Sequence, residues 1–293
     1  MKKTRKFDAF AVINGILMLI FTLVCIYPFY YVLIVSLNDP LDAQRGGLYL
    51  WVRSFSFENY KAIFKTSELL NAYQITLFRV IAGSALHLIL TAMFAFALTK
   101  KHFVFRKFLT WWMLIPMYFS GGIIPTYVVM DMLGLVNNVM VYVLPHLLAT
   151  FHILILRTFL NELPAALEES AVIDGASDFS LFWRIVMPLS TPVLATVALF
   201  IGVFHWNDWF SGFTYMTSED LWTAQNVLLK IIQTNEASNI ASISKMDSGF
   251  KATVTAESVK MAMLVITTVP VIIVYPFLQK YFVKGMMLGS VKG

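Results

Sequence analysis

Long apolar runs recur along the chain, separated by short basic or longer polar segments. Six of them are long enough to cross a bilayer as helices: Phe10–Leu37, Ala72–Thr99, Phe108–Met130, Val139–Phe159, Pro188–Phe210 and Val259–Tyr281. A helix rises about 1.5 Å per residue, so about 20 apolar residues cover the hydrocarbon core. No segment alternates apolar and polar positions with the period of a barrel strand. A helical bundle is then the solution that satisfies the backbone inside lipid. The pattern predicts an all-α membrane protein with six transmembrane helices in one domain over residues 1–293.

The polar positions orient these helices. Lys2, Lys3, Arg5 and Lys6 precede the first run. Lys100, Lys101, Arg106 and Lys107 fill the short gap between the second and third, Arg157 and Arg184 flank the gap between the fourth and fifth, and Lys280, Lys284 and Lys292 follow from the end of the last. With six spans all of these fall on one side, which the positive-inside rule assigns to the cytoplasm along with both termini. The other side receives Asn38–Asn71, a turn near Gly134–Asn138 and Ser211–Ser258. The basic start resembles the n-region of a signal peptide, but the apolar run after it is too long and no small-residue cleavage site closes it. We therefore expect a retained first helix.

Composition sharpens this picture. The chain is 58% hydrophobic and 13% charged, against roughly 45–50% and about 25% for soluble domains. Its 25 Phe, 12 Tyr and 7 Trp suit lipid-facing and interfacial positions. The net charge of +5 comes from residues at the ends of apolar runs, so it reads as orientation rather than as a nucleic-acid surface. The single cysteine, Cys25, excludes an intrachain disulfide and a cysteine-based metal site. The third run carries Pro116, Gly121, Gly122 and Pro125, which predicts a kink or a break. Transporter helices are often broken where they line a cavity.

The gap between the fourth and fifth runs, residues 160–187, is neither linker nor domain. Pro164 suits a first helical turn, and Glu168 and Glu169 follow where carboxylates complement the helix dipole. Gly175 offers a helix end or a turn of positive φ. Phe179, Phe182, Trp183 and Val186 then share one apolar face. The expectation is a small helix–turn–helix on the cytoplasmic side.

This segment resembles a known family. Glu169-Ser170-Ala171, three residues, Gly175, nine residues and Ile185-Val186-Met187-Pro188 are similar to the "EAA" loop of bacterial ABC importer permeases. That pattern is Glu-Ala-Ala, three residues, Gly, nine residues, Ile-x-Leu-Pro; Ser170 and Met187 depart from it. Asp174-Gly175-Ala176 looks like the carbohydrate-uptake branch, and the ending Gly289–Gly293 resembles the second permease of the maltose type. The likeness extends over nearly the whole chain and is strongest to permeases for oligosaccharides, including uronide-rich alginate or pectin fragments.

The resemblance implies a type I ABC importer permease fold with a cytoplasmic coupling helix, in the bacterial inner membrane. The coupling set would be Glu168, Glu169, Ala171, Asp174, Gly175, Ile185 and Pro188. Within it Glu169 would contact the ATPase or cap the loop, Gly175 would make the sharp turn, and Asp174 would cap the second short helix. The implied partners are a second homologous permease, two ATP-binding subunits, an extracytoplasmic solute-binding protein and the lipid bilayer. This chain would hold no cofactor, with ATP and Mg on the partner ATPase.

Substrate-pathway candidates come from polar groups inside the runs. Trp206, Asn207 and Asp208, with His205 and Trp209, close the fifth run. Indoles and amides suit sugars, yet the same residues suit an interfacial aromatic belt, and both readings stay open. Arg79 and His87 lie eight residues apart in the second run, hence near one face. Arg79 could attract an acidic sugar or simply snorkel. His146 and His152 are spaced for structural or pore-lining roles rather than for a metal. The Ser211–Ser258 segment, with Tyr215, Trp222 and Ala237–Ser244, reads as an external loop meeting the binding protein.

The sequence contains no Walker A Gly-x-x-x-x-Gly-Lys-Ser/Thr, no His-Glu-x-x-His and no Gly-x-Ser-x-Gly. An enzyme is poorly supported. The alternative is a stand-alone secondary transporter or channel, which would call for mid-membrane relay groups and has no use for the coupling segment.

Overall fold

The computed structural model describes the backbone of residues 9–233 and 254–290, and side chains for 10–233 and 254–276. Lys2, Lys3, Arg5, Lys6, Lys292 and the stretch Ala237–Ser244 lie outside the described residues, as do the side chains of Lys280 and Lys284. Among the described residues every regular element is a helix or helical turn, and one antiparallel bridge, Asn38 to Phe55, is the sole extended pairing. The described residues divide into two compact units, one drawn from Met1–Thr66 and Lys230–Thr268, the other from Ser67–Leu229 and Val269–Gly293.

The first unit is dominated by α1 (Ala9–Leu37). Its apolar side chains from Phe10 to Phe29 stand exposed, as expected of a helix whose solvent is lipid. Only its end enters a core, where Ile34 and Val35 pack with Leu48, Val52 and Met261. The polar segment after it is tied by side chains rather than by a sheet. Asp39 caps α2 (Pro40–Gln44) by accepting from the Leu41 and Asp42 amides at 3.0 Å each. Asn38 Oδ1 accepts from the amides of Arg53 and Ser54 at 2.9 Å, and Asn38 Nδ2 donates to Asp42 at 2.9 Å. The Asn38 amide, with Arg53 at 2.9 Å, holds the Asp42 carboxyl below the usual carboxylate range against an opposing cost of burial. Then α3 (Glu58–Phe64) docks through Asn59, whose amide donates to the Ser36 carbonyl at 2.9 Å.

The second unit holds the bundle. Helix α4 (Ser67–Phe78), a π-helical turn Arg79–Gly83 and α5 (Ser84–Thr99) form one uninterrupted 33-residue rod. Small residues on α5, Ala92 and Ala95, are buried and let α8 (Thr150–Leu160) approach closely. Leu156 and Ile153 of α8 and Val197 and Ile201 of α12 (Thr191–Asn207) complete that core.

The third predicted span is two helices, α6 (Arg106–Tyr118) and α7 (Ile123–Met132). Pro116 cannot donate to the Trp112 carbonyl. Gly122, at φ +88° and ψ 178°, adopts backbone that only glycine visits readily, and the helix cannot pass through it. The stretch is therefore broken rather than kinked.

Helix α9 (Ala165–Ile173), α10 (Asp178–Leu181), a second π turn Phe182–Val186 and α11 (Met187–Leu189) lead into α12. The chain bends by 83° between Leu189 and Thr191, so the long helix starts at Thr191-Pro192 and not at Pro188. Proline inside the first turn is tolerated because its missing donor has no partner there. The remaining helices are α13 (Phe210–Tyr215), α14 (Ala224–Gln233) and α15 (Ala256–Ser290). Among the described residues three helical stretches suffice by length and apolar character to cross a membrane, Phe10–Leu37, Ser67–Thr99 and Ala256–Pro276. Two more do so if each bent pair counts as one span, Val139–His146 with Thr150–Leu160 and Asp178–Leu189 with Thr191–Asn207.

Candidate functional site

The segment from Ala165 to Leu189 folds as a helix, a turn and a second set of short helices. At the end of α9 the Ala176 amide donates to the Ala171 carbonyl at 2.9 Å and the Gly175 amide to Val172 at 3.0 Å. This paired return is the Schellman closure, and it places Gly175 at φ +78°. Ala171 is the one buried residue of α9 and seats the helix on the bundle core beside Leu181, Phe182 and Val186. Glu169 and Ile173, four residues apart, point the other way. Ile173 is 85% exposed, Val172 57% and Phe179 66%. Together these side chains leave an exposed apolar patch at the helix–turn–helix.

Asp174 does not cap the second helix. Ser177 does, accepting from the Ser180 amide at 3.3 Å, because an N-cap side chain must precede the bonded N–H by two or three residues. Asp174 is instead the C-cap residue of α9. Ile185 packs against the core while Pro188 lies exposed in α11. Glu168 pairs with Lys100, a partner that the motif alone does not announce.

Of the second predicted set, Arg79, His87 and Asp208 lie inside the bundle. Arg79 is fully buried, and its guanidinium is taken up by this chain. Nη2 donates to the Asp208 carboxylate, Nη1 to the Asp208 carbonyl at 2.9 Å and Nε to His205 Nδ1 at 3.4 Å. The Tyr142 ring lies 5.0 Å beneath the guanidinium carbon. Asp208 also accepts from the Phe210 and Ser211 amides, at 2.9 and 3.2 Å, and so caps α13. A buried charge requires a partner, and in this chain Asp208 is the partner of Arg79. His87 is likewise buried, at 3.0 Å from His152. His146 stands edge-on to His205 at a centroid distance of 6.3 Å. Four histidines thus meet in one polar cluster, but among the described residues no three His, Cys, Asp or Glu side chains are grouped so that they could hold a metal ion.

Trp206 and Asn207 face elsewhere. Trp206 is half-buried, its ring 6.3 Å from that of Tyr73. Trp206 and Tyr73 line a groove of about 580 Å³ with Leu77, Val203, Val271 and Tyr275. Asn207 is exposed.

With this geometry in hand, the chain can be compared with known proteins. A family model described as "binding-protein-dependent transport system inner membrane component" matches residues 88–288. The polygalacturonan/rhamnogalacturonan transport system permease protein YtcP of Bacillus subtilis (strain 168) is 35% identical over 291 residues, covering 99% of this chain and 100% of that protein. Protein LplC of the same strain is 37% identical over 270 residues, 92% and 90% of the two chains. Among solved structures, a chain from the crystal structure of a bacterial ABC transporter involved in the import of the acidic polysaccharide alginate superposes with a TM-score of 0.88. It is 28% identical and covers 95% of this chain and 100% of that one.

Proposed function

The chain belongs to the family of binding-protein-dependent transport system inner membrane components, and from that premise we propose how it works and what it carries. It is a permease subunit of an ABC importer for oligosaccharides. We assign it an acidic oligosaccharide of the pectin or alginate type, received from an extracytoplasmic binding protein and released into the cytoplasm. The observation that carries this reading is the likeness over essentially full length both to a polygalacturonan/rhamnogalacturonan permease and to a chain of an alginate importer.

The coupling role falls to α9 and the turn after it. Glu169, Val172, Ile173 and Phe179 present an exposed, mixed apolar and acidic face that suits a groove on an ATPase subunit. ATP and Mg sit on that partner, and the two ATPase subunits and a second permease complete the complex. Both termini and the coupling segment lie in the cytoplasm, with six spans counted by joining each bent or broken pair. Arg79, Asp208 and His87 serve as internal ties of the bundle. Asn207, exposed at the end of α12, is the polar candidate for sugar contact. Trp206 is a wall residue, because the groove it lines is almost wholly apolar and suits a lipid chain or a helix rather than sugar hydroxyls.

Competition in proteoliposomes carrying the whole complex tests the substrate class. Uptake of a labelled oligogalacturonide should be displaced by unlabelled acidic oligomers and not by neutral maltooligosaccharides of equal length. Equal displacement by the neutral sugars would remove the acidic assignment.

A further inference from the structure

We propose that Lys100 is the positioning residue that pins the coupling segment to the inner end of the second span, so that movement of α9 is delivered along α5. This deepens the coupling role assigned to α9 and rests on it.

Lys100 follows α5 directly and ends it, turning to extended backbone at φ −69° and ψ 122°. In the sequence it is one basic residue among several in a short gap, and such residues are ordinarily solvated. Here the side chain is only 5% exposed. Its ammonium pairs with Glu168 in the first turns of α9 and lies 3.7 Å from Asp178, the first residue of α10. It also sits 4.3 Å from the centre of the Phe96 ring, one turn back on α5. One cation therefore joins three elements: the end of the rod, the start of the coupling helix and the start of the helix after the Gly175 turn. The C-terminal end of α5 favours a cation at that spot. An ammonium so enclosed has few other partners, and losing the acids would leave it buried and unpaired.

The consequence is mechanical. From Thr99 back to Arg79 the chain is one continuous helix, roughly 30 Å long at 1.5 Å per residue. Its far end is held by the Arg79–Asp208 pair. A push on α9 reaches α5 through the Lys100 pairs and through Ala171 in the core. The core contact is apolar and can slide, whereas the ion pairs fix a register.

The test uses the full complex in proteoliposomes, measuring ATPase co-purification, hydrolysis and sugar uptake per ATP. Lys100→Met should still bring down the ATPase subunits, while uptake per ATP falls roughly tenfold. Lys100→Arg should keep most of the coupling. Lys100→Glu combined with Glu168→Lys should transport better than either single change. Wild-type uptake per ATP in Lys100→Met would overturn the proposal and leave the coupling role of α9 standing. If Lys100→Met does not assemble, the charge swap decides. A swapped complex that assembles and transports supports the pin, and one that assembles without transporting overturns it. Absence of ATPase subunits from the wild-type complex would instead overturn the coupling role of α9, and the pin with it.

Discussion

Arg79 and Asp208 hold each other where water is scarce, so each is costly to remove alone. Breaking a buried pair by neutralising one member typically costs about 3–5 kcal/mol. Arg79→Met should therefore lower the thermal stability of the detergent-purified chain sharply. Asp208→Asn keeps an oxygen to cap α13 and loses only the charge, so combining it with Arg79→Met should cost less than the two changes added together. Strict additivity would mean that the two side chains do not depend on each other. Gly175 is a different kind of residue. Nothing lies within 4 Å of where its Cβ would be, so the obstacle to substitution is the backbone angle and not space. Gly175→Val should strain the turn by about 1–3 kcal/mol and impair uptake while membrane insertion stays normal. Gly175→Asn should be milder, since Asn tolerates left-handed backbone. Equal uptake in all three chains would remove the turn from the mechanism.

At the scale of elements, the α9 turn can be checked for its side of the membrane. Ala166 is exposed and caps nothing, so Ala166→Cys is a mild probe. An impermeant maleimide should label it in inverted vesicles and fail to do so from outside intact cells; ready labelling from outside would reverse the orientation. The α2 segment offers a pH test. Asp42 has a folded-state pKa below its unfolded value, so it favours the folded loop above about pH 4. That contribution is lost as pH falls through the depressed value. Protease cleavage within residues 38–57 should rise in that acid range and stay flat from pH 5 to 8; Asp42→Asn should flatten the profile. These elements were unevenly legible in the sequence. The Gly175 turn follows from motif spacing, because a helix end is a local requirement, whereas the burial of Ala171 depends on tertiary packing against the bundle. The prolines and glycines around Gly122 predict a kink or a break, and its positive φ decides for the break. The second cap falls at Ser177 and not at Asp174 because α10 starts at Asp178. The Lys100 pairs and the four-histidine cluster had no local signal. His87, His146, His152 and His205 are brought together by the packing of α5, α8 and α12 and by the 45° bend before α8.

At the scale of the molecule, long apolar helices, a structured segment between α8 and α12 and a matched family model all point to one part of a larger machine. We propose that the chain supplies a path and a lever, with the energy entering at a partner ATPase. A stand-alone carrier would run without nucleotide and would have no use for the exposed face of α9. Solubilising the chain with its co-expressed partners in mild detergent, and following ATP hydrolysis, separates the two directly. We predict recovery of a second permease and two copies of an ATPase, with hydrolysis that rises when binding protein and acidic oligosaccharide are added together. Recovery of this chain alone, with sugar uptake that proceeds without ATP, would contradict the account.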